Sequence, residues 1–130
     1  MTPKLQRTTP CDARERKGRL ASAEGFWGDA EDLYVLGTGR NNSLVTLYVH
    51  AGIAAADVIC CARLGMYSNS GNHADALELL DKAAPELKTA LQRLISIKTL
   101  AGYGAAPISA KKLSEARTAA EKLTAAARLV

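Results

Sequence analysis

Apolar residues crowd one stretch of this chain. From Arg40 to Gly65, the residues Leu44, Val45, Leu47, Tyr48, Val49, Ile53, Val58, Ile59 and Leu64 spread around the whole helical wheel. A helix that is apolar all round is a buried one. Asn41, Asn42, His50, Asp57 and Arg63 make the stretch a poor membrane span, so it reads as the central helix of a small bundle. One polar stripe interrupts it. Ser43, His50 and Asp57 recur at heptad spacing, with Thr46 one turn before His50, and so share a face. At about 1.5 Å per residue, His50 and Asp57 stand roughly 10 Å apart, too far for a direct hydrogen bond. A buried polar group without a partner costs about 1–3 kcal/mol. The stripe is therefore expected to be a satisfied, buried seam, or to meet a second subunit, water or a ligand.

The flanking segments repeat every three to four residues. Leu20, Ala23, Trp27, Ala30 and Tyr34 predict a first helix from about Pro10 to Leu36, capped by Thr9, with a bend near Gly18. Gly37-Thr-Gly39 closes it, and Asn41 or Asn42 is expected to cap the central helix. Gly65 ends that helix, and Met66 to Gly71 is a loop. Ser70 or Asn72 then caps a short third helix that Pro85 ends or bends. A fourth helix follows to about Ala101, with Leu87, Leu91, Leu94 and Ile95 on one side. Ser109 caps a last helix carrying Leu113, Ala116, Ala120, Leu123 and Ala127, with Ile108 and Leu113 placed for a hydrophobic staple. No segment alternates with period two, so no sheet is expected. The reading is an all-α, up-and-down bundle of four or five helices over residues 11–130, behind a frayed segment 1–10.

Composition narrows the function. The 130 residues are 48% hydrophobic and 23% charged, as in one ordinary globular domain. The net charge of +4 is concentrated in residues 1–20, which permits weak attraction to polyanions. Cys60 and Cys61 are neighbours about 100° apart on a helix and do not suit a disulfide with each other. They read as small hydrophobes, a usage that fits a reducing compartment. With no apolar export segment at the N-terminus, a cytoplasmic location is expected.

No P-loop, zinc spacing or nucleophile elbow is present, and no metal or cofactor is expected. The histidines are His50 and His73. His73 stands at a helix start, where the dipole opposes its cationic form. Arg40 and Arg63 flank the central helix, and Tyr103 offers a hydroxyl.

Three pieces, in order, resemble a known family. Asn41-Asn-Ser-Leu-Val-Thr-Leu-Tyr48-Val-His-Ala-Gly-Ile-Ala-Ala-Ala-Asp-Val looks like the second helix of HEPN domains. Gly71-Asn-His73 is similar to the loop before their third helix. Lys98-Thr-Leu-Ala-Gly-Tyr103 and the helix after Ile108 are similar to their basic turn and final helix. The resemblance covers roughly residues 20–128. It implies a bundle that forms homodimers and associates with RNA, a nucleotide or an antitoxin-type protein partner, in settings that include toxin–antitoxin systems and defence. Active members carry Arg, four to six residues, then His. Here Arg40 and Arg63 are each separated from the following histidine by nine intervening residues. The expected function is thus a noncatalytic dimeric bundle, with Ser43, Thr46, His50, Asp57 and Tyr103 as ligand-facing residues and no membrane role. The alternatives are a divergent metal-independent ribonuclease, drawing on His50, His73, Arg40 or Arg63, and a purely structural bundle. In the ribonuclease, a histidine would take the ribose 2′-hydroxyl proton while an arginine stabilised the phosphate charge.

Overall fold

A computed structural model describes residues 7–103 and 107–130, with Gly102 and Tyr103 described by their backbone alone. Five helices form an up-and-down bundle: α1 (Ala13–Leu36), α2 (Asn41–Leu64), α3 (His73–Ala83), α4 (Lys88–Tyr103) and α5 (Ala110–Arg128). The all-α reading holds, and α2 packs against all four other helices. At 24 residues α2 is long enough to cross a bilayer, contrary to the expectation from its polar residues, but 72% of its most apolar window is buried inside the bundle.

Gly52 lets Leu94 of α4 and Leu123 of α5 pack directly onto the backbone of α2. A Cβ there would collide with Leu94 Cδ1 of α4 and lie 3.3 Å from Leu123 Cδ1 of α5. Leu94 and Leu123 are both fully buried, so this crossing is the packing centre of the molecule. Of the core expected from the stripes, Val58, Leu91, Leu94, Leu113 and Leu123 are buried, while Leu47 is only partly so.

Helix α1 runs through Gly18, Gly25 and Gly28 without a break. Each glycine costs roughly 1 kcal/mol of helix propensity. Packing of Ala23, Ala30, Trp27 and Leu20 against the core outweighs that cost. The cap is Asp12, whose carboxylate accepts from Glu15 N at 2.8 Å, and not Thr9. Asn41 and Asn42 do not cap α2 either. Asn41 donates to Ile108 O at 2.9 Å; Asn42 donates to Ala101 O at 3.3 Å and accepts from Ile108 N at 3.0 Å. The two amides thus fasten the α4–α5 connection to the start of α2. The expected caps at Asn72 and Ser109 are present, accepting from Ala74 N and Lys112 N. Pro85 opens a single 3-10 turn, Pro85–Leu87, ahead of α4.

Two expectations fail at the other end. Of the segment 1–10 expected to be frayed, residues 1–6 lie outside the described residues, but Thr8–Pro10 is a strand, β1, and pairs antiparallel with Met66–Ser68, β2, in the register Thr9 to Tyr67. Three residues per strand are too few for alternation to register. Cys11 and Cys61 are joined by a disulfide across 50 residues of sequence. The reading of Cys61 as a small core hydrophobe is overturned, and with it the cysteines as a sign of a reducing compartment. Cys60 keeps that role: it is a buried free thiol, pushed up to about 12 by burial and then by the Asp57 charge. Beside the disulfide, Gly65 takes the left-handed conformation (φ +70°) that closes α2 onto Cys61 O, and its own carbonyl accepts from Cys11 N at 2.9 Å.

Candidate functional site

The polar stripe of α2 is on the outside. At about 100° per residue, Ser43, Thr46, His50 and Asp57 fall within roughly 60° of one another, on the side of α2 away from Gly52. Ser43, Thr46 and His50 are exposed, and the stripe is flanked by half-buried Leu47 and Ile53. The expectation of a packed, buried seam is corrected for these residues. They stay exposed because α4 and α5 pack against the opposite, Gly52 side, and α1 reaches the stripe only at its edge. His50 stacks on Phe26 of α1, with ring centroids 5.2 Å apart. Thr46 donates to Asn42 O at 2.8 Å, a helix back-bond that leaves its oxygen open as an acceptor.

At the far end of the stripe, Asp57 is sunk between elements. Its side chain is 16% exposed, and Arg19 Nη1 lies 3.3 Å from Oδ2. The Arg19 guanidinium also lies over the Tyr67 ring, 4.2 Å from the centroid, so α1, α2 and β2 meet here. Burial pushes the Asp57 carboxyl up to about 6, and Arg19 restores only part of the charged form's stability. Below Asp57 is a cavity of about 30 Å³, bounded by Cys60, Ser68, His73, Leu91 and Ile95 among others. It has room for about two waters, too small for a cofactor. His73 is the first residue of α3 and half-buried. Burial, and then the Lys98 ammonium, hold its imidazole below the ordinary range. Both act in the direction expected of an imidazole at a helix start.

A second polar junction joins α1, α2 and α5. Arg117 grips Glu31 with two bonds, 2.7 Å from Nε and 3.0 Å from Nη2. Tyr48 donates its hydroxyl to the same carboxylate at 2.9 Å. Arg117 also stacks on Tyr34, 4.3 Å from the ring centroid. The Arg117 bonds, ahead of that from Tyr48, hold the Glu31 carboxyl below its usual range. Tyr48 is shifted well above the phenolic range, first by burial and then by Glu31.

The histidines and arginines proposed for catalysis are not brought together. Arg40 stands at the start of α2, ten residues and roughly 15 Å of helix from His50. Arg63 donates to Ala83 O at 3.0 Å and lies 3.5 Å from Glu86, beyond the C-terminal end of the helix that His73 begins. The Tyr103 side chain lies outside the described residues. Sequence reasoning missed Arg19, Phe26, Glu31 and Arg117. A signal existed for the last two: Glu24 and Glu31 are seven apart, Arg117 and Arg128 eleven apart, both helical repeats. Arg128 accordingly bonds Glu24 at 2.9 Å. No protein-family model matches the chain, and no curated protein is similar to it in sequence.

Proposed function

We propose that this chain is a noncatalytic, HEPN-like module that works as a homodimer and acts by binding RNA or a nucleotide. The observation that carries the reading is the uncovered face of its most apolar helix. That face offers hydroxyls at Ser43 and Thr46, the His50–Phe26 stack, and half-buried Leu47 and Ile53. A two-fold axis near His50 would bring the same stripe of two copies together as an isologous contact. Binding is favoured over cleavage because Arg63 is occupied at the far end of α3 and Arg40 is a helix-length from His50. The +4 charge favours an anionic ligand.

Light scattering on the 13.8 kDa chain tests the dimer. The expected mass is twofold at micromolar concentration, falling to the monomer in His50→Glu, which sets two like charges across the axis. A wild-type monomer at high micromolar concentration rejects the dimer. An RNA cleavage assay run beside it is expected to leave the RNA intact. Cleavage by the wild type that His50→Ala or His73→Ala abolishes would restore the ribonuclease.

A further inference from the structure

A cleft of about 430 Å³ opens between α4 and α5, on the side of those helices away from the α2 stripe. Its α4 wall comes from Thr89, Gln92, Arg93 and Ser96, which fall at i, i+3, i+4 and i+7 and so form one polar face. Lys112 and Glu115, in the first two turns of α5, make the other wall, and Ile97 supplies an apolar patch. The volume lies within the range of small-ligand sites, roughly 300–1,000 Å³.

The charges in it are unequal in kind. Lys112 and Glu115 neutralise one another at 3.4 Å. Arg93 forms no ion pair or hydrogen bond among the described residues, which leaves the cleft one uncompensated guanidinium. A planar fork of donors beside the Thr89 hydroxyl and the Gln92 amide suits a phosphate, whose oxygens accept in pairs. Ser96 gives its proton to Gln92 O at 3.0 Å and is left as an acceptor. Glu115 is half-buried and held in place by Lys112. Lys112 engages Glu115 Oε2, and Oε1 in the same cleft is left to accept from hydroxyl donors such as those of a ribose.

We infer that the α4–α5 cleft binds one ribonucleotide unit, its phosphate on Arg93 and its ribose hydroxyls on Glu115. The inference rests on the anion-binding half of the function proposed above and is independent of the dimer. The phosphate has two sources, a free nucleotide or a residue of an RNA chain. Titration calorimetry with AMP, dAMP and an eight-nucleotide oligoadenylate separates them. Binding of AMP alone identifies the free nucleotide, and binding of the oligomer alone identifies the chain; either sustains the site. Arg93→Glu is expected to weaken binding by about tenfold or more, whereas Lys17→Glu, the same charge change on α1, leaves it within about twofold. Glu115→Gln is expected to reduce AMP or oligoadenylate affinity toward that of the deoxy form. Circular dichroism of each variant confirms the fold. If Arg93→Glu binds like the wild type, or Lys17→Glu loses as much, the site is wrong while the general reading stands. If the wild type binds none of the three ligands at millimolar concentration, both fall.

Discussion

The two polar junctions of this bundle are built from the same parts and end in opposite states. Each has an arginine stacked on a tyrosine and facing a carboxylate: Arg117, Tyr34 and Glu31 at one, Arg19, Tyr67 and Asp57 at the other. Glu31 receives two guanidinium bonds and a tyrosine hydroxyl, and its carboxyl is held low. Asp57 receives one contact at 3.3 Å above a small apolar cavity, and its carboxyl is raised to about 6. Depth of burial first, and then the number of donors, decide whether a carboxylate beside an arginine stabilises the fold. The poorly served junction is also the one that carries the disulfide and the β1–β2 pair.

Removing the covalent tie tests that contrast hardest. The 50-residue separation closed by Cys11–Cys61 corresponds to about 4 kcal/mol of unfolded-state entropy. Cys11→Ser is expected to lose about 2–4 kcal/mol in urea unfolding, with hydrogen exchange rising first at β1 and β2. Glu31→Gln comes next. It leaves Arg117 and Tyr48 facing a weaker acceptor, and a loss of about 1.5–3 kcal/mol is expected by the same measurement.

Asp57 moves the other way. Its folded value of about 6 lies above the ordinary 3.8, so the native state binds the proton more tightly than the unfolded chain does. Stability should therefore rise as pH falls from about 6 toward 4, and the penalty is fully present above 6. The shift sets an upper bound of about 3 kcal/mol, and loss of the half-exposed Arg19 contact reduces it. Asp57→Asn is expected to stabilise the protein at pH 7 by about 1 kcal/mol and to flatten the profile between pH 4 and 6. Equal stability of mutant and wild type at pH 7 would count against a buried, weakly paired carboxylate. The smallest effect is expected from His50→Ala, within about 0.5 kcal/mol in a thermal melt of the dilute, monomeric chain, where the ring is exposed. A larger loss would mean that the stripe is a packed element after all.

What was legible in the sequence was local. The all-round apolarity of 44–64, the caps at Asn72 and Ser109, and the end of the third helix before Pro85 each depend on residues a few positions apart. The junctions depend on partners 38 and 86 residues apart; helical periodicity puts Glu24 with Glu31 and Arg117 with Arg128 on common faces, but does not say which faces meet. The heptad of Ser43, His50 and Asp57 was legible as a face but not as an outside face. A polar stripe on an apolar helix looks the same whether a subunit, a helix or water lies against it. Which one does is decided by Gly52, whose missing side chain draws α4 and α5 to the opposite pole. The same limit hid the α4–α5 cleft, since Thr89, Gln92, Arg93 and Ser96 read as a solvated helix face until α5 stands beside them.

The disulfide also changes what a cut in the backbone can do. Cys11 and Cys61 lie at the open ends of the α1–α2 hairpin, and its turn, with Arg40 exposed, lies at the other end. Together they make a covalent ring that encloses the two longest helices. Trypsin cleaving after Arg40 opens the ring without dividing the molecule. The two fragments migrate as one species on a non-reducing gel and separate only when a thiol is added.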